Sequence, residues 1–239
     1  MYLWHRETGE PINPMVETAV PTATDVPGEQ VWPTQPIPYN SRGVPMTPFC
    51  ATYPIVNDPE AKQRARQMYT PYSVKDFYIV AHGGGSWGPP AFSPRTGLLY
   101  VTGKDGGITF TVNPVGDTLE TGVSDGHADS IAEGPIRDDM TPNFTVTAYD
   151  PATAELVWQQ IAPTNSAIGA SGNLATSGDL VLQGTDIGEV YAFDARTGDQ
   201  LFVYQHNRPI RASPLTYQVN GKQFISVVSS NDVLTFALP

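Results

Sequence analysis

From about residue 77 the chain alternates short apolar or β-branched runs with breaks of Gly, Asn and Asp. Phe77–Val80, Gly97–Thr102, Ile108–Val112, Leu180–Gln183, Glu189–Phe193 and Gln223–Val228 are such runs, each four to six residues long. Runs of that length, bounded by turn residues, predict strands. Asn220-Gly221, set between Thr216–Val219 and Lys222–Ile225, predicts a two-residue hairpin turn. The first sixty residues read differently, because they hold 11 of the 23 prolines. Proline fixes φ and removes an N–H donor, so Val31-Trp-Pro-Thr-Gln-Pro-Ile-Pro38 is neither a regular helix nor a central strand. It predicts an extended, irregular segment laid over a folded body, with Trp32 pinning it. One short helix is expected from Pro59 to about Met68, with Asp58 as cap and Pro59 at the first helical position.

Short strands with regular turns fit a sandwich, a barrel or a propeller. An internal repeat chooses among them. Ala148-Tyr-Asp-Pro-Ala-Thr-Ala-Glu-Leu-Val-Trp158 aligns with Ala192-Phe-Asp-Ala-Arg-Thr-Gly-Asp-Gln-Leu-Phe202 at an offset of 44 residues. Fainter copies are Leu3-Trp-His-Arg-Glu-Thr-Gly9 and Ala91-Phe-Ser-Pro-Arg-Thr-Gly97. Each copy is a strand, a turn in which Asp binds backbone N–H groups and Gly supplies positive φ, and a second strand carrying an aromatic. Repeats of about 40–50 residues with four strands apiece are propeller blades. The fold expected is therefore all-β: a partial β-propeller of roughly three to four four-stranded blades. It is one domain over residues 1–239, with a proline-rich excursion and the short helix within 1–76 and blades over 77–239. Trp158, Phe202 and Tyr204 are expected to pack blade against blade.

Composition narrows the function. A net charge of −11 and a pI near 4.6 exclude nucleic acid and anionic lipid as main partners. No apolar run approaches the length of a membrane helix. Cys50 is the one cysteine, which leaves no internal disulfide, redox Cys pair or haem attachment, and reads as a small hydrophobe. His5, His82, His127 and His206 lack the short spacings of a zinc site. The acidic run Asp125, Asp129, Glu133, Asp138 and Asp139 fits no Ca²⁺-loop spacing and reads as a solvated loop. Gly83–Gly85 is not a phosphate loop, since neither Lys-Ser/Thr nor a helix follows. The N-terminus carries no visible signal peptide, while the acidic, lysine-poor, Pro/Gly-rich composition points to an exported protein.

The blade turns resemble those of the pyrroloquinoline quinone (PQQ)-dependent alcohol and sugar dehydrogenases, an eight-bladed propeller family. The resemblance runs through Asp25-Val-Pro-Gly-Glu-Gln-Val-Trp-Pro-Thr-Gln-Pro36, Gly84–Val101, Leu174–Val181, Ile210–Tyr217 and Phe236-Ala-Leu-Pro239. It corresponds to the C-terminal portion of a family chain more than twice as long. The resemblance implies a periplasmic oxidoreductase that takes a small alcohol or sugar and passes electrons to a quinone or cytochrome, using PQQ and Ca²⁺. It places the Ca²⁺ ligands, the catalytic aspartate and a vicinal disulfide upstream of this chain, so no residue here is assigned as base or metal ligand.

Carried over position by position, Trp87 matches the Trp of the family's Gly-x-Asn-Trp segment, and Ser86 stands where an Asn often binds the cofactor. Ala170-Ser171-Gly172 replaces a Trp-x-Gly that forms the aromatic floor under the quinone, which makes Ser171 and Gly172 cofactor-facing. Arg211 is read either as facing a cofactor carboxylate or as an exposed loop arginine. Partners implied are a complementary N-terminal propeller half or a second copy of the chain. The rival reading is a non-catalytic propeller scaffold, or a truncated fragment inactive alone.

Overall fold

The structure, a computed structural model, describes residues 2–46, 69–71, 73–74, 78–81, 84–85, 88–105, 107–112, 131–133, 143–163 and 171–237. Among these residues every regular element is a strand. The helix expected over 59–68, Cys50 and the acidic run except Glu133 lie outside them. In chain order the strands are β1 (Met15–Ala19), β2 (Thr34–Pro38), β3 (Tyr78–Ala81), β4 (Gly84–Gly85), β5 (Ala91–Ser93) and β6 (Leu98–Asp105). There follow β7 (Gly107–Val112), β8 (Ile131–Glu133), β9 (Asn143–Asp150), β10 (Glu155–Pro163), β11 (Asn173–Ala175) and β12 (Leu180–Gly184). The last are β13 (Glu189–Asp194), β14 (Gln200–Gln205), β15 (Leu215–Val219), β16 (Lys222–Ser229) and β17 (Asp232–Ala237). The chain divides into two compact units, residues 1–82 with 106–141, and residues 83–105 with 142–239.

In the first unit β1 and β2 pair antiparallel, and β3, β7 and β8 form a three-stranded sheet. Pro36 and Pro38 sit in β2, which among the described residues pairs with β1 alone and so tolerates the missing donors. Trp32 does not pin this segment, being 72% exposed; the buried anchors are Val26 and Ile37. The Asp25 carboxylate accepts from the Ser73 hydroxyl at 2.7 Å and the Val74 N–H at 2.9 Å, which ties the loop down.

The second unit contains three antiparallel sheets. The first orders β4 and β5 beside β6, then β9 and β10; the second is β11-β12-β13-β14; the third is β15-β16-β17. β12 and β13 are buried along both faces, while every residue of β14 is exposed. Val181, Tyr191 and Phe193 pack with Tyr100, Val146, Ala148 and Trp158 of the first sheet. Leu182 and Ala192 pack with Ile225 and Phe236 of the third, and Val190 packs with Val227 and Leu234. This is blade-on-blade stacking by three successive meanders.

The repeat read from the sequence is a repeat of geometry. Gly9, Gly97, Ala154 and Gly198 all have positive φ, between 58° and 77°. Each donates its N–H four residues back, to His5, Ser93, Asp150 and Asp194, at 2.7–2.9 Å. Asp150 Oδ1 accepts from Ala152 N–H, and Asp194 Oδ1 accepts from Arg196 and Thr197 N–H. Both blades then shift register at the same repeat position, Val157 between Leu156 and Trp158, and Leu201 between Gln200 and Phe202. The bulge turns the following aromatic toward the next sheet. The Asn220-Gly221 turn joins β15 to β16 with φ of 51° and 80°, the signs a two-residue hairpin turn requires.

Candidate functional site

Three backbone segments meet where the inner strands of the second unit begin. Gly88 precedes β5, Gly172 precedes β11, and Ser213 precedes β15. A Cβ on Gly88 would lie 2.3 Å from the Gly172 nitrogen, and one on Gly172 would lie 2.5 Å from both Pro89 Cδ and Ser213 Oγ. Neither position admits a side chain. Asn173 N–H donates to the Pro89 carbonyl at 3.1 Å, and Thr102 Oγ1 donates to the Ser171 carbonyl at 3.2 Å, so the segments are bonded as well as packed. On the far side Ile210 fills the space over Gly184, where a Cβ would fall 2.3 Å from Ile210 Cγ2, and Ile210 N–H donates to Thr185 O at 2.9 Å.

The sequence-assigned residues distribute unevenly over this wall. Ser171 is fully buried. Its hydroxyl accepts from Gly184 N–H at 2.6 Å and lies 3.0 Å and 3.1 Å from the carbonyl oxygens of Gly172 and Gly184, one of which takes its proton. That hydroxyl holds two strands together. Gly172 is the contact point between the first sheet and the Ser213 segment. Arg211 lies two residues before Ser213, exposed, and forms no ion pair with a described residue. Ser86, Trp87 and Ala170 lie outside the described residues. Sequence reasoning missed Gly88, Gly184 and Ser213; the signal for the first two was a glycine at a strand end, which marks close backbone approach.

Charged groups elsewhere in the unit serve the turns. Asp179, itself at φ 58°, accepts from Arg95 at 3.0 and 3.3 Å and from Arg196 at 3.3 Å. The Arg95 hydrogen bond is the main reason its carboxyl is held below the usual range. Asp194 is lowered by the N–H groups of Thr197 and Arg196. Burial, then the Glu189 carboxylate that accepts its proton, pushes the Tyr191 hydroxyl well up. Among the described residues no three His, Cys, Asp or Glu side chains come together as a metal site. The glycines let these segments pack directly on one another, and Arg211, two residues before Ser213, is left exposed without an ion pair to a described residue.

Residues 1–141 match the glucose/ethanol/alcohol dehydrogenase β-propeller domain family, and residues 142–237 match the family of the outer membrane protein assembly factor BamB. The dehydrogenase subunit of an alcohol dehydrogenase (quinone) from Gluconacetobacter polyoxogenes is 33% identical over 180 residues, which are 68% of this chain and 23% of that protein. The quinoprotein alcohol dehydrogenase PedE of Pseudomonas putida is 35% identical over 148 residues, covering 61% of this chain and 22% of its own. In fold, the chain is similar to the crystal structure of quinohemoprotein alcohol dehydrogenase from Comamonas testosteroni, with TM-score 0.51, 19% identity, and coverage of 96% of this chain and 33% of that one. The matched stretch thus spans under a quarter of the length of these two sequence relatives and a third of the Comamonas testosteroni chain.

Proposed function

The chain belongs to the glucose/ethanol/alcohol dehydrogenase β-propeller family, and on that premise we propose that it is the C-terminal part of a PQQ-dependent dehydrogenase acting on an alcohol or sugar. The electron acceptor in this reading is a quinone or a cytochrome, and the compartment is the periplasm. The observation that carries it is the family match over residues 1–141, with Arg211, exposed and without an ion pair to a described residue, as the group open to an anion. PQQ is a flat polyanion, and its chemistry when bound is acceptance of hydride at a quinone carbonyl polarised by a metal ion. The protein's share is orientation. A guanidinium binds a carboxylate in a planar fork. The Ca²⁺ ligands and the base belong, in this reading, to the remaining length of the relatives.

The described residues fit the anion better than they fit the metal. They supply the exposed Arg211 but gather no three metal-ligating side chains. The complementary propeller portion is the partner proposed. The outward face of the third sheet supports this, since Leu215, Tyr217, Val219, Val228 and Val233 all lie exposed on it. One observation favours the rival, a non-catalytic scaffold: the Ser171 hydroxyl is spent on backbone groups.

The test is a titration of PQQ with Ca²⁺ into the purified chain, read by tryptophan fluorescence. Saturable quenching that weakens about tenfold or more in Arg211→Gln supports the reading; a charge-assisted pair to a carboxylate is of that order. No response up to millimolar PQQ transfers the case to the scaffold.

A further inference from the structure

Gln183 of β12 has its Cα opposite Asn173 of β11 on one side and Tyr191 of β13 on the other. The three side chains therefore form one row on one face of the second sheet. That face is turned to the first sheet: Tyr191 packs in the cluster with Tyr100 and Trp158, and Asn173 Nδ2 donates to the Tyr100 carbonyl at 3.2 Å. Gln183 is 0% exposed and Asn173 6%. The Tyr191 hydroxyl is committed to Glu189 Oε2 at 2.8 Å. Gln183 Oε1, Gln183 Nε2 and Asn173 Oδ1 have no hydrogen-bond partner among the described residues.

Such a row is anomalous, because native interiors pair nearly all their buried polar atoms and an orphan forfeits its hydration with nothing in return. No described side chain completes it. Val181, Phe193 and Val146 are apolar, the Thr102 hydroxyl is donated to Ser171 O, and the Ser171 hydroxyl is bound to Gly184 and Gly172. Turning the Gln183 amide over exchanges donor for acceptor and adds no partner. Turning Asn173 over breaks its bond to Tyr100. The missing partner must both donate and accept, and be small enough to sit between two packed sheets.

We propose that Gln183 and Asn173 bind a pair of ordered waters between the first and second sheets. The first water accepts from Gln183 Nε2 and donates to Asn173 Oδ1. The second donates to Gln183 Oε1 and bonds to the first. Two are required, since the oxygen and nitrogen ends of one amide direct their hydrogen bonds apart and a single water does not align with both. Each water then makes two or three bonds, the usual coordination of buried water. Asn173 directly follows Ser171-Gly172, so the waters brace the strand that carries the wall. This inference does not depend on cofactor binding.

A crystal structure of the full 239-residue chain at about 1.5 Å resolution, a range in which ordered water is visible, is the direct test. It is paired with water-oxygen magnetic relaxation dispersion on wild type and Gln183→Met, a substitution of similar volume without the amide. The expected result is two density peaks within hydrogen-bonding distance of both amides, and a long-lived water signal in wild type that falls in Gln183→Met. The inference is overturned if the density shows the amides dry or bonded directly to protein groups, or if Gln183→Met keeps the full wild-type signal. Should Gln183→Met fail to fold, the wild-type density decides alone.

Discussion

The Trp158 indole N–H donates to the Ala195 carbonyl at 3.1 Å, from the first sheet to the turn that closes a strand of the second. The same oxygen accepts from the Tyr100 hydroxyl at 2.9 Å, and that hydroxyl is hydrogen-bonded to Thr96 at 2.7 Å. One buried carbonyl thus joins two sheets through two aromatic donors. Tyr100 and Trp158 sit 5.8 Å apart, so they pack on one another as well. At the next repeat position Phe202 stands in place of Trp158; it has no N–H, meets Phe236 edge-on at 5.8 Å and is 44% exposed. The junction of first and second sheets is the better built of the two.

Sharing an acceptor predicts non-additivity. Tyr100→Phe or Trp158→Phe alone leaves the Ala195 carbonyl one donor and costs about 1 kcal/mol beyond packing. The double variant leaves it buried and orphaned, and costs about 1 kcal/mol more than the sum. Urea unfolding of the four proteins measures the coupling; strict additivity would show that the two bonds act separately.

Glycine at the repeat turn carries two separate duties, and a pair of alanine substitutions divides them. At Gly97, φ is 72° and no atom lies within 4 Å of a Cβ, so Gly97→Ala pays backbone strain alone, about 1–2 kcal/mol. At Gly198, φ is 77° and a Cβ would press on the Trp158 ring at 2.7 Å. Gly198→Ala is expected to lose that strain plus about 1–3 kcal/mol of overpacking. Chemical denaturation ranks the two, and equal losses would remove the Trp158 contact from the argument.

Acid sensitivity follows from Asp179 and Asp194. Both carboxyls are held below their ordinary value of 3.8, the first chiefly by Arg95 and the second chiefly by the Thr197 N–H. A depressed folded-state pKa gives stabilisation that is complete above the unfolded value and is lost as pH falls through the folded one. The loss therefore begins near pH 4 and deepens below it. Asp179→Asn keeps a side chain tolerant of positive φ and removes the carboxylate. Melting temperature against pH is expected to fall less steeply below pH 4 in that variant than in wild type. Parallel curves would mean that the Arg95 pair contributes nothing.

Much of this architecture is written locally, which is why it was legible. The Thr-Gly turns, the 44-residue offset and Asn220-Gly221 each lie within a few residues of chain, and their backbone signs follow from residue type. The contact of Gly88 with Gly172 spans 84 residues of sequence and has no local signature beyond glycine at a strand end. Ser171 shows the harder limit. Its position was readable by resemblance, yet whether its hydroxyl faced a ligand or the Gly184 backbone depended on a strand-to-strand distance that no motif encodes. Trp32 failed for a related reason, because an aromatic beside prolines marks burial only where another segment comes to cover it.

The third sheet supplies the last prediction, which rests on the proposed partner. Its strands β15, β16 and β17 repeat the second sheet's arrangement one strand short, so among the described residues β17 pairs with β16 alone and ends the sheet. The face turned away from the second sheet carries Leu215, Tyr217, Val228 and Val233, the last 68% exposed, with Tyr217 stacked on Phe224 at 5.5 Å. The opposite face of this sheet is covered by Leu182, Val190 and Ala192, and nothing in its own chemistry distinguishes the uncovered face from the covered one. A solvated face of that kind drives association. The chain alone is expected to sediment as concentration-dependent oligomers, and Tyr217→Lys with Val233→Lys to weaken association about tenfold or more, with far-ultraviolet circular dichroism unchanged. Both lysines project from the outward face, so the packing of Ile225, Val227 and Phe236 is untouched. Were the wild-type chain monomeric at high concentration, the face would have to be closed by groups within the chain itself, and the complementary propeller portion would lose its docking surface.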